Sequence, residues 1–201
     1  MKYLERIQSL LPLGYLYLIV LGLLKESILF YPLGINIIQY SSITDILISP
    51  ISDLSSSPKL IILIALVFII LYFYQNYIIT HNHLTWAHKI LGQNAISLNS
   101  TKREIQKALL PVFIGFIAFE LFVIFIGLGV GKGITLSKRI KQNSLSANYR
   151  INSNSGKSED IYIVELNSSY YFYLTKGNQN LKIAPIETIN SLEVINNKNA
   201  K

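Results

Sequence analysis

The chain has 201 residues, of which 51% are hydrophobic and only 14% charged. Soluble domains carry about 25% charged residues, so this composition excludes an ordinary water-soluble globule. The formal charge is +7 and there is no cysteine, which excludes disulfides, thiolate catalysis and cysteine-ligated metal. The basic residues gather beside apolar runs, in "TKREIQK" and "KGITLSKRIK". That pattern fits membrane topology and anionic headgroups, and no nucleic-acid partner is expected.

The N-terminus "MKYLERIQSLLPLGYLYLIVLGLLKES" has the basic start and apolar run of a signal peptide. It lacks a small-x-small cleavage site after Leu24, and apolar character resumes at Ile28, so it is read as a retained span. Ending at Leu24 would leave about 22 Å of helix against a bilayer core of about 30 Å. The span is therefore expected to cover about 11 to 31, with Lys25 and Glu26 inside it or snorkelling, and Pro32 stopping the helix.

Next comes "GINIIQYSSITDILISPISDLSSSP". Ile43, Ile46, Leu47, Ile51 and Leu54 recur at helical spacing beside Asp45 and Asp53. This predicts a short amphipathic helix over about 41 to 54 on the membrane surface, limited by Pro50 and Pro58. The neighbouring Ser41, Ser42, Ser49 and Ser52 suit turns and caps, since no histidine or nucleophile-elbow glycine accompanies them.

The second span, about 60 to 79, is uninterrupted apolar from Leu60 to Tyr74 and ends in an aromatic belt of Tyr72, Phe73, Tyr74 and Tyr77. Beyond it "HNHLTWAH" holds His81, His83 and His88, a weak candidate set for a divalent metal without a carboxylate in the stretch. Histidine and tryptophan there are ordinary interfacial residues, and no cofactor is expected.

The third span is expected over about 108 to 131, in a helix that starts near Lys102 with Thr101 and Glu104 at capping-box spacing. It carries Glu120 in the middle of an apolar run, which is costly without a partner. At about 100° per residue Gly127 and Gly131 lie within about 20° of Glu120, a face with GxxxG spacing suited to helix packing. On the first helix Lys25 shares a face with Gly14 and Leu18, with Gly22 one turn away. The depths of Lys25 and Glu120 differ by about 3 Å, so an ion pair between the first and third helices is geometrically allowed, while Glu26 points about 100° away and needs another partner, a proton or the interface. Lys25, Glu26 and Glu120 are thus the intramembrane ionisable residues, either a structural pair or an ion path. The run "GLGVGKG" is not a Walker loop, because no Ser or Thr follows Lys132.

Residues 134 to 158 read as a linker, and 159 to 197 as a small β-rich domain. Strands are expected near 161 to 166, 170 to 175, 181 to 184 and 191 to 195, separated by "NSS", "KGNQN" and a tight turn at "PIET". The meander resembles the small SH3-like or Sm-like barrels that place one turn of helix before a closing strand.

Positive-inside counting is close to a tie. Lys2, Arg6, Lys89, Lys102, Arg103 and Lys107 oppose Lys59, Lys132, Lys138, Arg139 and Lys141. The fold class expected is therefore a mainly α membrane protein: three transmembrane helices in a domain over 1 to 133, then an antiparallel β-rich C-terminal domain. It is expected to lie multi-pass in a plasma or inner membrane, as a non-enzymatic component that joins copies of itself or a membrane partner. Its partners are the bilayer and anionic headgroups, met by Lys132, Lys138, Arg139 and Lys141. The runner-up is a small proton or ion transport subunit using Lys25, Glu26 and Glu120.

Overall fold

A computed structural model describes residues 2–80 and 102–195 of the chain. Helices α1 (Lys2–Phe30), α2 (Ile43–Ser56), α3 (Pro58–Thr80) and α4 (Lys102–Lys141) precede strands β1 (Tyr149–Ser153), β2 (Ser158–Leu166), β3 (Tyr170–Thr175), β4 (Lys182–Pro185) and β5 (Ile189–Val194). Three helical segments, Leu10–Leu33, Pro58–Thr80 and Arg103–Lys141, are long and apolar enough to cross a membrane. The chain divides into two compact units, one of residues 1–51 with 125–201 and one of residues 52–124, so α2 and α4 each contribute to both.

In the unit of residues 52–124, Ile78 and Ile79 at the end of α3 pack with Ile105, Leu109 and Phe113 of α4, and Leu71 joins them. The middle of α3 buries little: Ile62 is 66% exposed and Phe73 65%. Pro58 opens α3, where its missing N–H is one of the unpaired first-turn groups in any helix. Pro50, by contrast, sits inside α2.

In the other unit α1 continues through Lys25 and Glu26 to Phe30, and Pro32 stands in a single 3-10 turn that Gly34 closes with φ 71°. The end of α1 is fixed by burial. Leu29, Phe30, Ile37 and Phe172 form one apolar cluster, with the Phe30 and Phe172 rings 5.2 Å apart edge to face. A second cluster joins Leu136 and Ile140 of α4 to Leu174 of β3. The sheet is therefore packed on the ends of two helices, and no free linker starts at residue 134: α4 runs on to Lys141. Leu136 and Ile140 are one helical turn apart, and burying them against the sheet outweighs the cost of the glycines before them. Asn143, with φ 49°, ends the helix, and the N–H of Ser144 returns to the carbonyl of Arg139.

All strand pairs are antiparallel in the order β4-β3-β2-β1-β5. Strand β1 lies in the segment read as linker; its sequence "YRINS" is too polar to announce a strand, yet β2 and β5 pair with it on both sides. The "PIET" turn is a 3-10 turn, Ile186–Thr188. One irregularity bears on function: β2 is out of step with β3 between Ile163 and Glu165, so Ile163 faces Tyr173 and Glu165 faces Phe172. A bulge here lets Val164 and Glu165, though consecutive, both line the same hollow.

Candidate functional site

The buried polar residues of α1 come first because they are the most expensive. Lys25 is 2% exposed and Glu26 5%. The Lys25 ammonium lies 2.8 Å from Glu26 Oε1 and donates to Ser49 Oγ at 2.7 Å, while the Ser49 hydroxyl donates to the same Glu26 oxygen. One serine of α2 thus bridges an ion pair made by neighbours in the chain. Glu26 is a partner of Lys25 despite the 100° between their Cα directions, because four methylenes let the ammonium bend across. Glu26 Oε2 has no hydrogen-bond partner among the described residues. Glu120 is half-buried in the unit of residues 52–124 and has no ion-pair partner among the described residues.

Glycines admit α2 and α4 to this end of α1. A Cβ on Gly22 would lie 2.0 Å from the carbonyl oxygen of Ile46. That carbonyl stands four residues before Pro50, so it is the one the proline deprives of a helical N–H. Gly129 faces the carbonyl of Lys25, with 2.7 Å to a built Cβ, and Gly133 that of Leu29, with 2.9 Å. At Gly14, Gly127 and Gly131 a Cβ would meet nothing within 4 Å. The close approach of α4 to α1 therefore uses the pair Gly129 and Gly133, offset by two positions from the face reckoned on Glu120.

Beside this junction is a hollow of about 450 Å³ between α1, α4 and β2. Leu29, Leu136 and Val164 give it apolar wall, and Gly131 leaves it space. Its polar groups are Lys132, Thr135, Arg139, Tyr162 and Glu165. On α4 the residues 131, 135 and 139 recur every fourth position, so they share one face. The Arg139 guanidinium lies over the Tyr162 ring, 5.7 Å from its centroid. Burial and the nearby Glu26 carboxylate push the Glu165 carboxyl up to about 7, against the pull of Lys25 and Lys132. Lys138 and Lys141 line a different hollow, with Pro32 and Ile134, so the four cations of this basic segment split between two faces of α4.

No family model, curated protein or solved structure matches this chain.

The remaining candidates divide by position. His81, His83 and His88 lie outside the described residues. Among those described, no group of three or more His, Cys, Asp or Glu is placed to hold a metal ion. Ser42 and Asp45 form a capping box on α2, the Ser42 N–H donating to Asp45 Oδ2 at 2.9 Å and the Asp45 N–H to Ser42 Oγ at 3.1 Å. Asp45 also accepts from the backbone and hydroxyl of Ser168, both at 3.0 Å, and so holds the β2–β3 turn to α2. Burial opposes its charge, but the bonds from Ser42 and Ser168 prevail and keep its carboxyl below the ordinary value. The same turn is anchored by Asn167, whose side chain donates to the carbonyl of Tyr40 at 2.9 Å. Glu165 is the residue that sequence reasoning passed over. Its only signal was a carboxylate inside the apolar strand "IYIVEL".

Proposed function

We propose that this chain is a multi-pass protein of a plasma or inner membrane, a non-enzymatic component that carries its β domain as a fixed head and assembles with itself or a membrane partner. The observation that carries the reading is the pairing of three span-length apolar helices, whose outer faces expose large apolar side chains, with a sheet packed directly on helix ends. Water does not tolerate apolar faces of that extent, whereas lipid or another apolar helix does. The sheet order supports an SH3-like architecture for the head: a 3-10 turn precedes a fifth strand that pairs with the first. The basic end of α4 fits anionic headgroups through Lys132, Lys138, Arg139 and Lys141.

The test is alkaline carbonate washing of membranes from cells expressing the full chain, followed by mass determination in detergent. Retention in the pellet and a protein mass that is a multiple of 22.8 kDa, or includes a second membrane subunit, is the expected result. Release by carbonate defeats the membrane reading, and a monomeric mass defeats assembly.

A second reading, a small proton or ion transport subunit, is favoured by the buried Lys25 and Glu26 of a span-length helix, which Ser49 of α2 bridges. Its test is flux in proteoliposomes, which must fall when Glu26→Gln or Glu120→Gln is introduced.

A further inference from the structure

We propose that the hollow between α1, α4 and β2 is a binding site for the phosphate of an anionic glycerophospholipid headgroup. This rests on the membrane reading above. Three features favour it. Lys132 and Arg139 stand seven positions apart on α4, about two turns, so one diester phosphate between them meets a cation on either side, with the Thr135 hydroxyl midway. Arg139 is already held against Tyr162, which reduces the side-chain freedom it loses on binding.

The second feature is the mixed lining. A site for a free, fully hydrated phosphate has no use for Leu29, Leu136 and Val164, whereas the glycerol backbone and first acyl carbons of a lipid do. At the lower lip is Gly131, and one turn further down the same helix is Gly127; a Cβ at either meets nothing within 4 Å. Neither glycine puts a side chain on the α4 surface that leads away from the cationic hollow, which leaves room for an acyl chain to lie there. Neither glycine is spent on the contact with α1, which Gly129 and Gly133 make.

The third feature is Glu165, whose carboxyl lines the same hollow. Its charge is disfavoured there, and a protonated carboxyl donates a hydrogen bond to a phosphate oxygen instead of repelling it. The charged groups acting on it are Glu26 and Lys25 from α1 and Lys132 from α4. Binding is therefore expected to strengthen from pH 8 to pH 6.

The experiment is native mass spectrometry of the full chain in detergent, titrated with phosphatidylglycerol or phosphatidylcholine, with glycerol 3-phosphate as competitor. Expected is at least a ten-fold preference for phosphatidylglycerol, lost on Lys132→Gln or Arg139→Gln and on Gly131→Leu, which fills the hollow without altering charge. Lys132→Arg should restore binding, and Lys157→Gln, in the exposed turn between β1 and β2, should leave it within about two-fold. Each variant must match the wild type in helical circular dichroism and elution volume. Equal binding of both lipids, or phosphatidylglycerol binding unchanged in the three variants, overturns the site. Displacement by glycerol 3-phosphate at concentrations equal to the lipid's own overturns the lipid as source and leaves a soluble phosphate ester. A chain that resists carbonate yet shows no preference removes the headgroup site alone, whereas release by carbonate removes the membrane reading itself.

Discussion

Replacing Glu165 by Gln keeps the shape of the side chain and removes its charge, so it isolates what burying that carboxylate costs. The carboxyl titrates at about 7 in the fold against 4.5 ordinarily. At about 1.36 kcal/mol per pH unit, that difference amounts to about 3 kcal/mol. The sign follows from the direction of the shift. A raised carboxyl pKa means that the folded state holds the proton more tightly, so this contribution is complete below pH 4.5 and is lost as pH rises through 7. Glu165→Gln should therefore match the wild type near pH 4.5 and exceed it by up to about 3 kcal/mol at pH 8. For a chain of this length that is a rise in Tm of about 6 to 12 °C. Thermal unfolding of both proteins in one detergent, followed by circular dichroism from pH 4.5 to 8.5, measures the difference directly. A gap between the two that does not change with pH would show that Glu165 is not buried against Glu26 in the way described, and a wild type more stable at pH 8 than Glu165→Gln would show that its ion pairing outweighs its desolvation.

Gly22→Ala and Gly129→Ala should each cost about 1 to 3 kcal/mol, because backbone carbonyls occupy the space of the new methyl, whereas Gly14→Ala and Gly127→Ala should be neutral or gain up to about 1 kcal/mol; denaturation in detergent separates the two pairs. Lys25→Met leaves the Glu26 carboxylate buried without its cation, and a loss of about 3 to 5 kcal/mol is expected, read as a sharp fall in folded yield. Asp45→Ala removes the α2 cap and the tie to Ser168 at a cost of about 1 to 2 kcal/mol. Since the Asp45 pKa is lowered in the fold, the part of this loss due to charge is complete above pH 3.8 and disappears as pH falls below it, which unfolding curves of variant and wild type at pH 3 and 7 will check.

Much of the architecture was legible because hydrocarbon-length apolar runs, and short aromatic and β-branched runs between turn residues, are local signals. Leu60 to Tyr74 and "YYFYLT" announce their elements without help from the rest of the chain. What escaped was decided by contacts distant in sequence. "GVGKG" carries the glycines that normally end a helix, but Gly133 is there to admit the carbonyl of Leu29, and the helix continues. "YRINS" becomes a strand only because two partners await it. For the ionisable residues, ideal helical angles matched Lys25 to Glu120 across two helices. They could not foresee a flexible lysine folding onto its own neighbour with a serine from α2 between them. Glu165 was invisible for a related reason: a bulge in β2, which no alternation pattern reveals, sets which face it joins.

The unbroken run of α4 from its glycine contacts to the sheet has a consequence for how this protein can vary. Gly129 and Gly133 fix the rotation of the helix against α1, and Leu136 and Ile140 fix it against β3, starting only three positions later. Deleting one residue between Gly133 and Leu136 turns everything beyond by about 100° and withdraws about 1.5 Å, so one of the two contacts must be given up. Length in this short stretch is therefore quantised. Substitutions there can accumulate one at a time, but a deletion is never close to a whole turn, and an insertion is tolerable only when it is, as three or four residues are, and then only if the sheet can follow the helix outward.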